Sequence, residues 1–418
     1  MLISELVKLY MAKLDQFFFF ALGLSLGLTI GFLHLQTFPL SLSTWPSLSA
    51  TLPYLALPEE PPARPPPSPP PPPPPMPSDD PPPTSDETTT TTTTSNIVSS
   101  WKEYNLGDDN SKIGNSSVVH NMSDKELLWR ASMVPQMEGY PYDYFPKVAF
   151  MFLTKGPLPL APLWELFFKG HQGLYSIYVH THPSYNHSWP QESVFYGSRI
   201  PSQEVTWGTM SMIDAEKRLL GNALLDFSNQ RFVLLSESCI PLFNFTTIYN
   251  FLTKSNVSFL ASFDDPRKPG RGRYNPKMWP NITIQDWRKG SQWFEVRRDV
   301  AIRMISDQKY YSIFEQHCHP PCYNDEHYFP TLSRLLFPEL IANRGITWVD
   351  WSHIGPHPGR FIRRDITEEF LNNIRFQSSN CTYNGDVTTM CFLFARKFVG
   401  DTLKPLLQIS PNLLGFDP

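Results

Sequence analysis

From Gln16 to Pro58 the chain has no Asp, Glu, Lys or Arg. A surface helix of a soluble protein needs a charged face for water, and this absence excludes one there. Neither G-x-G-x-x-G nor G-x-x-x-x-G-K-[ST] occurs, which argues against a Rossmann dehydrogenase and a P-loop ATPase, since both cradle phosphate on such a loop. Beyond residue 146 there is no G-x-S-x-G, so the serine elbow of an α/β-hydrolase is missing. A net charge of −4 over 418 residues leaves no basic excess, and nucleic acid is not an expected partner. Cysteine is scarce, and its count of five is odd, so at least one thiol is free or pairs outside the chain.

What is present is ordered in blocks. Phe17 to Leu35 is almost wholly apolar. At ~1.5 Å per residue such a run reaches ~30 Å, enough to cross a bilayer. Lys8 and Lys13 precede it and favour a cytoplasmic N-terminus, which would put everything after it in the lumen or outside. The alternative is a cleaved signal peptide, whose apolar core is usually shorter. Gly23, Gly27 and Gly31 recur every four residues, a face on which two anchors could pair as a homodimer. Pro53 to Pro83 is dominated by proline, and Thr88 to Thr94 is all threonine. Such a stretch is an extended, semi-rigid spacer, either an O-glycosylated stalk or an unmodified linker. The expected organisation is a tail at 1–15, a transmembrane signal-anchor at 16–38, a largely disordered stem at 39–145 and a folded domain at 146–418. Seven Asn-x-Ser/Thr sequons, at Asn115, Asn121, Asn186, Asn244, Asn256, Asn281 and Asn380, are consistent with a lumenal position.

In the folded part, Val148–Leu153, Tyr175–His180 and Arg231–Leu235 are short apolar runs that read as buried strands, and Val194–Ile200 as a further short one. Leu163–Lys169 and Ser211–Asp226 between them read as helices. Alternating strand and helix predicts an α/β fold with a mostly parallel sheet, whose ligands bind beyond the carboxyl ends of the strands. Thr154, Lys155, His180 and the segment Ser236–Cys239 would ring that crevice. In an oxidising lumen the close pairs Cys318–Cys322 and Cys381–Cys391 read as local disulfides, leaving Cys239 as a buried thiol. His317, His319 and His327 crowd the first pair, but the spacing matches no standard zinc finger.

Several segments resemble the plant branch of the core-2/I-branching β-1,6-N-acetylglucosaminyltransferase family: Phe152–Glu165, Tyr175–His180, Phe232–Leu242, Tyr323–Thr331 and Asp365–Phe370. The resemblance implies a GT-A-like fold with a mostly parallel central sheet flanked by helices. It implies a single-pass type II Golgi membrane protein with a lumenal catalytic domain. It also implies inverting transfer of a GlcNAc-like sugar from a UDP-sugar to a glycan acceptor, with no metal and no other cofactor. The strand that carries Asp-x-Asp in metal-dependent relatives of that fold ends here in Ser236-Glu237-Ser238, a thin ligand set for a hard cation. Asp264-Asp265 is the nearest carboxylate pair, and Pro266 after it makes a turn the simpler reading.

By the same resemblance Glu326 matches the catalytic base. Read from residues alone, Asn324 can cap a helix and Asp325 and Glu326 then sit in its first turn, where the helix dipole welcomes acids. Lys397 matches the family's diphosphate-binding Lys, with Arg396 beside it and Arg375 as the nearest candidate for a second upstream cation. Thr154, His180 and Ser236 fall on the donor side. Arg273-Tyr274 and Trp348 match acceptor-contacting positions, but Asp350 stands where animal members carry Tyr, a departure at the acceptor end. Lys289–Phe294 resembles a strand beside the site, although Trp293 suits core packing equally. A rival reading is a lumenal protein of the same fold that binds glycan or nucleotide sugar without turnover. A glycoside hydrolase is disfavoured, because no second catalytic acid matches.

Overall fold

A computed structural model describes residues 120–416 apart from 138–139, 142, 354, 356 and 377–379. The tail, the anchor, most of the stem and Asn115 lie outside the described residues. Among the described residues no helix is long and apolar enough to cross a membrane.

Folded structure begins before residue 146. Helix α1 (Asp124–Ala131) lies inside the stretch read as stem, and Ser123 caps it by accepting the Glu126 N–H. Strand β1 (Lys147–Leu153) is buried from Val148 onward, as expected of a strand covered on both faces. It leads through α2 (Ala161–Phe168), which carries Pro162 in its first turn where no N–H is needed, to β2 (Tyr175–His180). β2 runs parallel to β1, Val148 facing Tyr175 and Leu153 facing His180. Helix α3 (Met210–Leu224) then crosses to β3 (Asn229–Ser236), parallel to β1 on its other side. After the short β4 (Ile240–Pro241) and α4 (Phe245–Thr253), β5 (Glu295–Arg297) pairs antiparallel with β3. The sheet order is β2-β1-β3-β5, a mostly parallel α/β sheet flanked by helices. Val194–Ile200 is not a strand. It is a turn that makes one bridge, Arg199 to Val179, because Pro201 follows and removes a ladder donor.

Strand alternation divides the core in two. Val148, Phe150 and Phe152 pack with Trp164, Phe167 and Phe168 of α2. Ala149, Met151 and Leu153 share the other core with Leu219, Leu220 and Ala223 of α3. Burying each such large side chain contributes ~1.5–3 kcal/mol. Helix α3 is buried all round from Ala215 to Leu224, so its charged residues need partners. α1 supplies Asp124 to Arg218 at 2.9 Å, and Lys217 donates to the Asp307 carbonyl at 3.0 Å. β3 and β5 are joined by a fully buried bidentate pair, Arg231 Nε and Nη2 to the Glu295 carboxylate at 2.7 and 2.8 Å.

The chain continues through α5 (Arg298–Ser306), α6 (Lys309–His317), α7 (Asn324–Leu336), β6 (Thr347–Val349), α8 (Glu368–Phe376), β7 (Cys381–Tyr383), β8 (Asp386–Thr388), β9 (Phe394–Arg396) and α9 (Leu403–Ile409). β4, β9 and β6 form a second sheet, and β7 and β8 a hairpin. Cys318 is bridged to Cys322 and Cys381 to Cys391, while Cys239 is free and buried. With both cysteines of the first pair oxidised, no thiolate is left for zinc there, and no group of three metal-ligating side chains exists among the described residues. Asn121, Asn186, Asn256, Asn281 and Asn380 are exposed. Asn244 is half-buried, and its Oδ1 caps α4 by accepting the Thr247 N–H at 2.9 Å.

Candidate active site

Three segments distant in sequence meet at Glu326. The first is the start of α7. The Cys318–Cys322 bridge closes the turn before it, and the Asn324 Nδ2 donates to the Cys318 carbonyl at 3.0 Å. Asn324 therefore does not cap the helix. It is the first helical residue, and Tyr323 holds the cap position. The second segment is Lys289-Gly290, whose Gly290 N–H donates to the Glu326 carbonyl at 2.8 Å. Only glycine fits here, since a Cβ would lie 1.9 Å from the Ala261 oxygen. The third is the single turn Arg271–Arg273.

The side chains converge on one oxygen. Arg273 Nη1 donates to Glu326 Oε2 at 2.5 Å, and the Lys289 ammonium donates to the same atom. The Arg273 guanidinium also lies 4.5 Å from the centre of the Tyr323 ring. With 24% of its side chain exposed, Glu326 still faces solvent on one side. Burial pushes its carboxyl up, but Lys289 and Arg273 more than offset that and hold it below the usual carboxylate range. Its neighbours go the other way. Burial, and then repulsion from Glu326, raise Asp325 to about 6. Glu216 of α3 is fully buried and pushed well above the usual range, first by burial and also by Asp325, although Gln292 Nε2 donates to it at 2.8 Å. Burial lowers His327 to about 4; its ring stacks on Trp287 at 4.5 Å and Nδ1 donates to the Arg288 carbonyl at 2.8 Å.

From Gly290 the chain runs to Trp293, which carries the Arg396 guanidinium 4.1 Å above its ring. Lys397 follows, half-buried, with no ion pair or side-chain hydrogen bond among the described residues. The Phe398 N–H donates to the Ser238 carbonyl at 2.9 Å, which sets Lys397 beside the carboxyl end of β3. Ser236 Oγ is 3.0 Å from Ser238 Oγ there. At the ends of β1 and β2 the Thr154 N–H donates to the His180 carbonyl at 2.9 Å. His180 is buried, and that burial lowers its imidazole to about 3, so it is neutral.

Other candidates are engaged elsewhere. Arg375 lies between Phe243 and Phe376 and donates to the Leu413 carbonyl at 2.9 Å, apart from the Glu326 cluster. The Tyr274 hydroxyl donates to the Ile282 carbonyl at 2.8 Å. Trp348 stacks on Phe361 at 5.7 Å, and Asp350 Oδ1 accepts the Ser352 N–H at 2.9 Å. Asp264 and Asp265 are taken by Arg271 and Arg267. The residues that sequence reasoning missed are Lys289, Glu216 and Gln292. Lys289 stood in a recognised segment, and its glycine neighbour was the available signal of close backbone approach. Nothing in the sequence marked Glu216, a charged residue on a helix read as amphipathic.

The mostly parallel α/β sheet thus carries a doubly clamped carboxylate at one segment and, beside a strand's carboxyl end, a lysine with no side-chain partner among the described residues. The core-2/I-branching enzyme family model matches residues 148–375. Glycosyltransferase BC10 of Oryza sativa subsp. japonica is 34% identical over 309 residues, covering 63% of this chain and 76% of the rice protein. The chain belongs to the core-2/I-branching enzyme family, in its plant branch, a family of glycosyltransferases.

Proposed function

We propose that this chain is an inverting, metal-independent glycosyltransferase of GT-A-like fold that moves a sugar from a UDP-sugar to a glycan acceptor. By resemblance the sugar is GlcNAc-like. The anchor at 16–38 would hold the protein in the Golgi membrane with the domain lumenal. The observation that carries this reading is the Glu326 carboxylate, ionised and partly open, with both cations on Oε2. Oε1 takes no hydrogen bond among the described residues and is free to accept the proton of an acceptor hydroxyl as that oxygen attacks the anomeric carbon. The bond from that carbon to the diphosphate breaks, and Lys397, the family's diphosphate lysine by resemblance, would stabilise the charge on departing UDP. A base works best with a pKa near the working pH. An acceptor that draws Arg273 or Lys289 away from Oε2 would raise the basicity of Glu326 at the moment of use. Metal independence is supported by the donor set: Glu237 is a lone carboxylate at the β3 end, and Asp264 and Asp265 are engaged by arginines.

One observation favours a second reading, a lumenal glycan- or nucleotide-sugar-binding protein without turnover: Glu326 is already neutralised by two cations, as a structural ion pair would be. Glu326→Gln in the full-length protein decides between them. With a UDP-sugar panel, transfer should fall ~10²–10⁴-fold while UDP-sugar affinity is kept. Transfer by the variant equal to native would show that Glu326 is not the base, and no transfer by the native protein with any UDP-sugar would leave only the second reading.

A further inference from the structure

Exposed aromatic rings are costly to hold in water and are informative when they border a polar site. Trp207 is 51% exposed, and its ring lies 4.6 Å from that of Tyr323. Tyr323 in turn carries Arg273, which holds Glu326. Trp129, Trp279 and Trp351 are also exposed, but Trp207 is the one joined to Glu326 by this run of contacts. Next to Lys289, the second cation on Glu326, Phe263 is 44% exposed and pairs with it through two backbone hydrogen bonds of 2.9 Å. Directly paired antiparallel residues point to the same side, so the Phe263 ring leaves the backbone on the face of the Lys289 ammonium.

The Trp207 wall is held by contacts within the chain. Gly208 has φ +76°, and a Cβ on it would lie 2.5 Å from Tyr323 Cδ1, so the backbone rests on that ring. The Thr206 N–H donates to Ser211 Oγ at 2.9 Å, and the Asn324 N–H reaches the Gly208 carbonyl at 3.3 Å. The loop is thereby tied to α3 and to the start of α7. By contrast, Trp348 is packed against Phe361 and Phe370.

We propose that Trp207, backed by Tyr323, is a sugar-stacking platform that seats a neutral pyranose ring of the acceptor glycan, with Phe263 as a second wall. The inference rests on reading Glu326 as the group that faces the acceptor. The electron-rich face of an indole accepts the weakly positive C–H face of a pyranose, while Arg273 and Glu326 remain for hydroxyls. A neutral sugar is the choice because Arg267, Arg271 and Arg273 are each already paired with a carboxylate, whereas Lys268 and Lys277 of that loop are exposed to water.

The test uses full-length protein in detergent and neutral β-linked gluco-, galacto- and xylo-oligosaccharides, from disaccharide to hexasaccharide, with binding read by surface plasmon resonance. Native protein should bind at least one series. Trp207→Ala should weaken that binding about three- to tenfold and Trp207→Phe much less, with UDP binding unchanged in both. Binding by Trp207→Ala equal to native overturns the proposal. So does failure of native protein to bind any series, or a loss of UDP binding in step with the loss of sugar binding. Capture is read without turnover. Sugar binding through Trp207 with no transfer would therefore sink the transferase reading and leave the platform standing.

Discussion

Replacing Asp325 by Asn should stabilise the protein at neutral pH, although the residue lies in the first turn of a helix. Two effects compete. The helix dipole favours an acid at this position by ~0.3–1 kcal/mol. Against it, burial and the neighbouring Glu326 raise the Asp325 carboxyl from its ordinary 3.8 to about 6. At ~1.4 kcal/mol per pH unit, that disfavours the ionised form by up to ~3 kcal/mol above pH 6. Part of that figure belongs to coupling with Glu326, so ~1–2 kcal/mol is the expected share of Asp325, and it exceeds the dipole term. The folded-state pKa is raised, so the group's contribution to stability is whole below pH ~4 and is lost as pH rises through about 6. Asn never ionises and avoids that loss. Thermal unfolding of the full-length protein at pH 7.5 should show Asp325→Asn melting ~2–4 °C above native. The gain should shrink through pH 5.5 and be gone near pH 4. A lower melting temperature at pH 7.5, or an equal gain at pH 4, would refute the reasoning.

Two further outcomes follow from the cations. Lys289→Met removes one of the two positive partners of Glu326, so the acid limb of the kcat/KM pH profile should move to higher pH, and an unmoved limb would show that Lys289 does not tune the base. Lys397→Ala should cut transfer ~10²–10³-fold, whereas EDTA should not; full loss in EDTA restored by Mn²⁺ would defeat metal independence.

Much of the fold was legible because β1 is a nearly continuous apolar run and β2 and β3 carry shorter ones, Ile177–Val179 and Phe232–Leu235, each buried. Val194–Ile200 misled because its apolar residues serve a turn tucked under the sheet edge. α1 was hidden by the stem around it, since an eight-residue helix gains its stability from packing on α3 and not from its own sequence. At the site, Glu326 and Lys397 carried recognisable surroundings. Lys289 did not, because it meets Glu326 across 37 residues of sequence, where Gly290 lets its strand lie against the Ala261 backbone. Adjacent residues also diverge: Arg396 lies on Trp293 while Lys397 has no side-chain partner among the described residues, a difference that no spacing rule announces.

The division of the core has a consequence for how such a protein can change. Trp287, Trp293, Tyr328 and Phe329, which underlie the Glu326 segment, belong to one apolar cluster, while Phe394, Ala395 and Phe398, which flank Lys397, belong to the other. Packing substitutions more than ~7–10 Å apart with no shared partner act almost independently. Descendants of one ancestral chain could therefore change the packing around Glu326 while keeping that around Lys397. The sheet separates these two histories of change except where Trp293 meets Arg396.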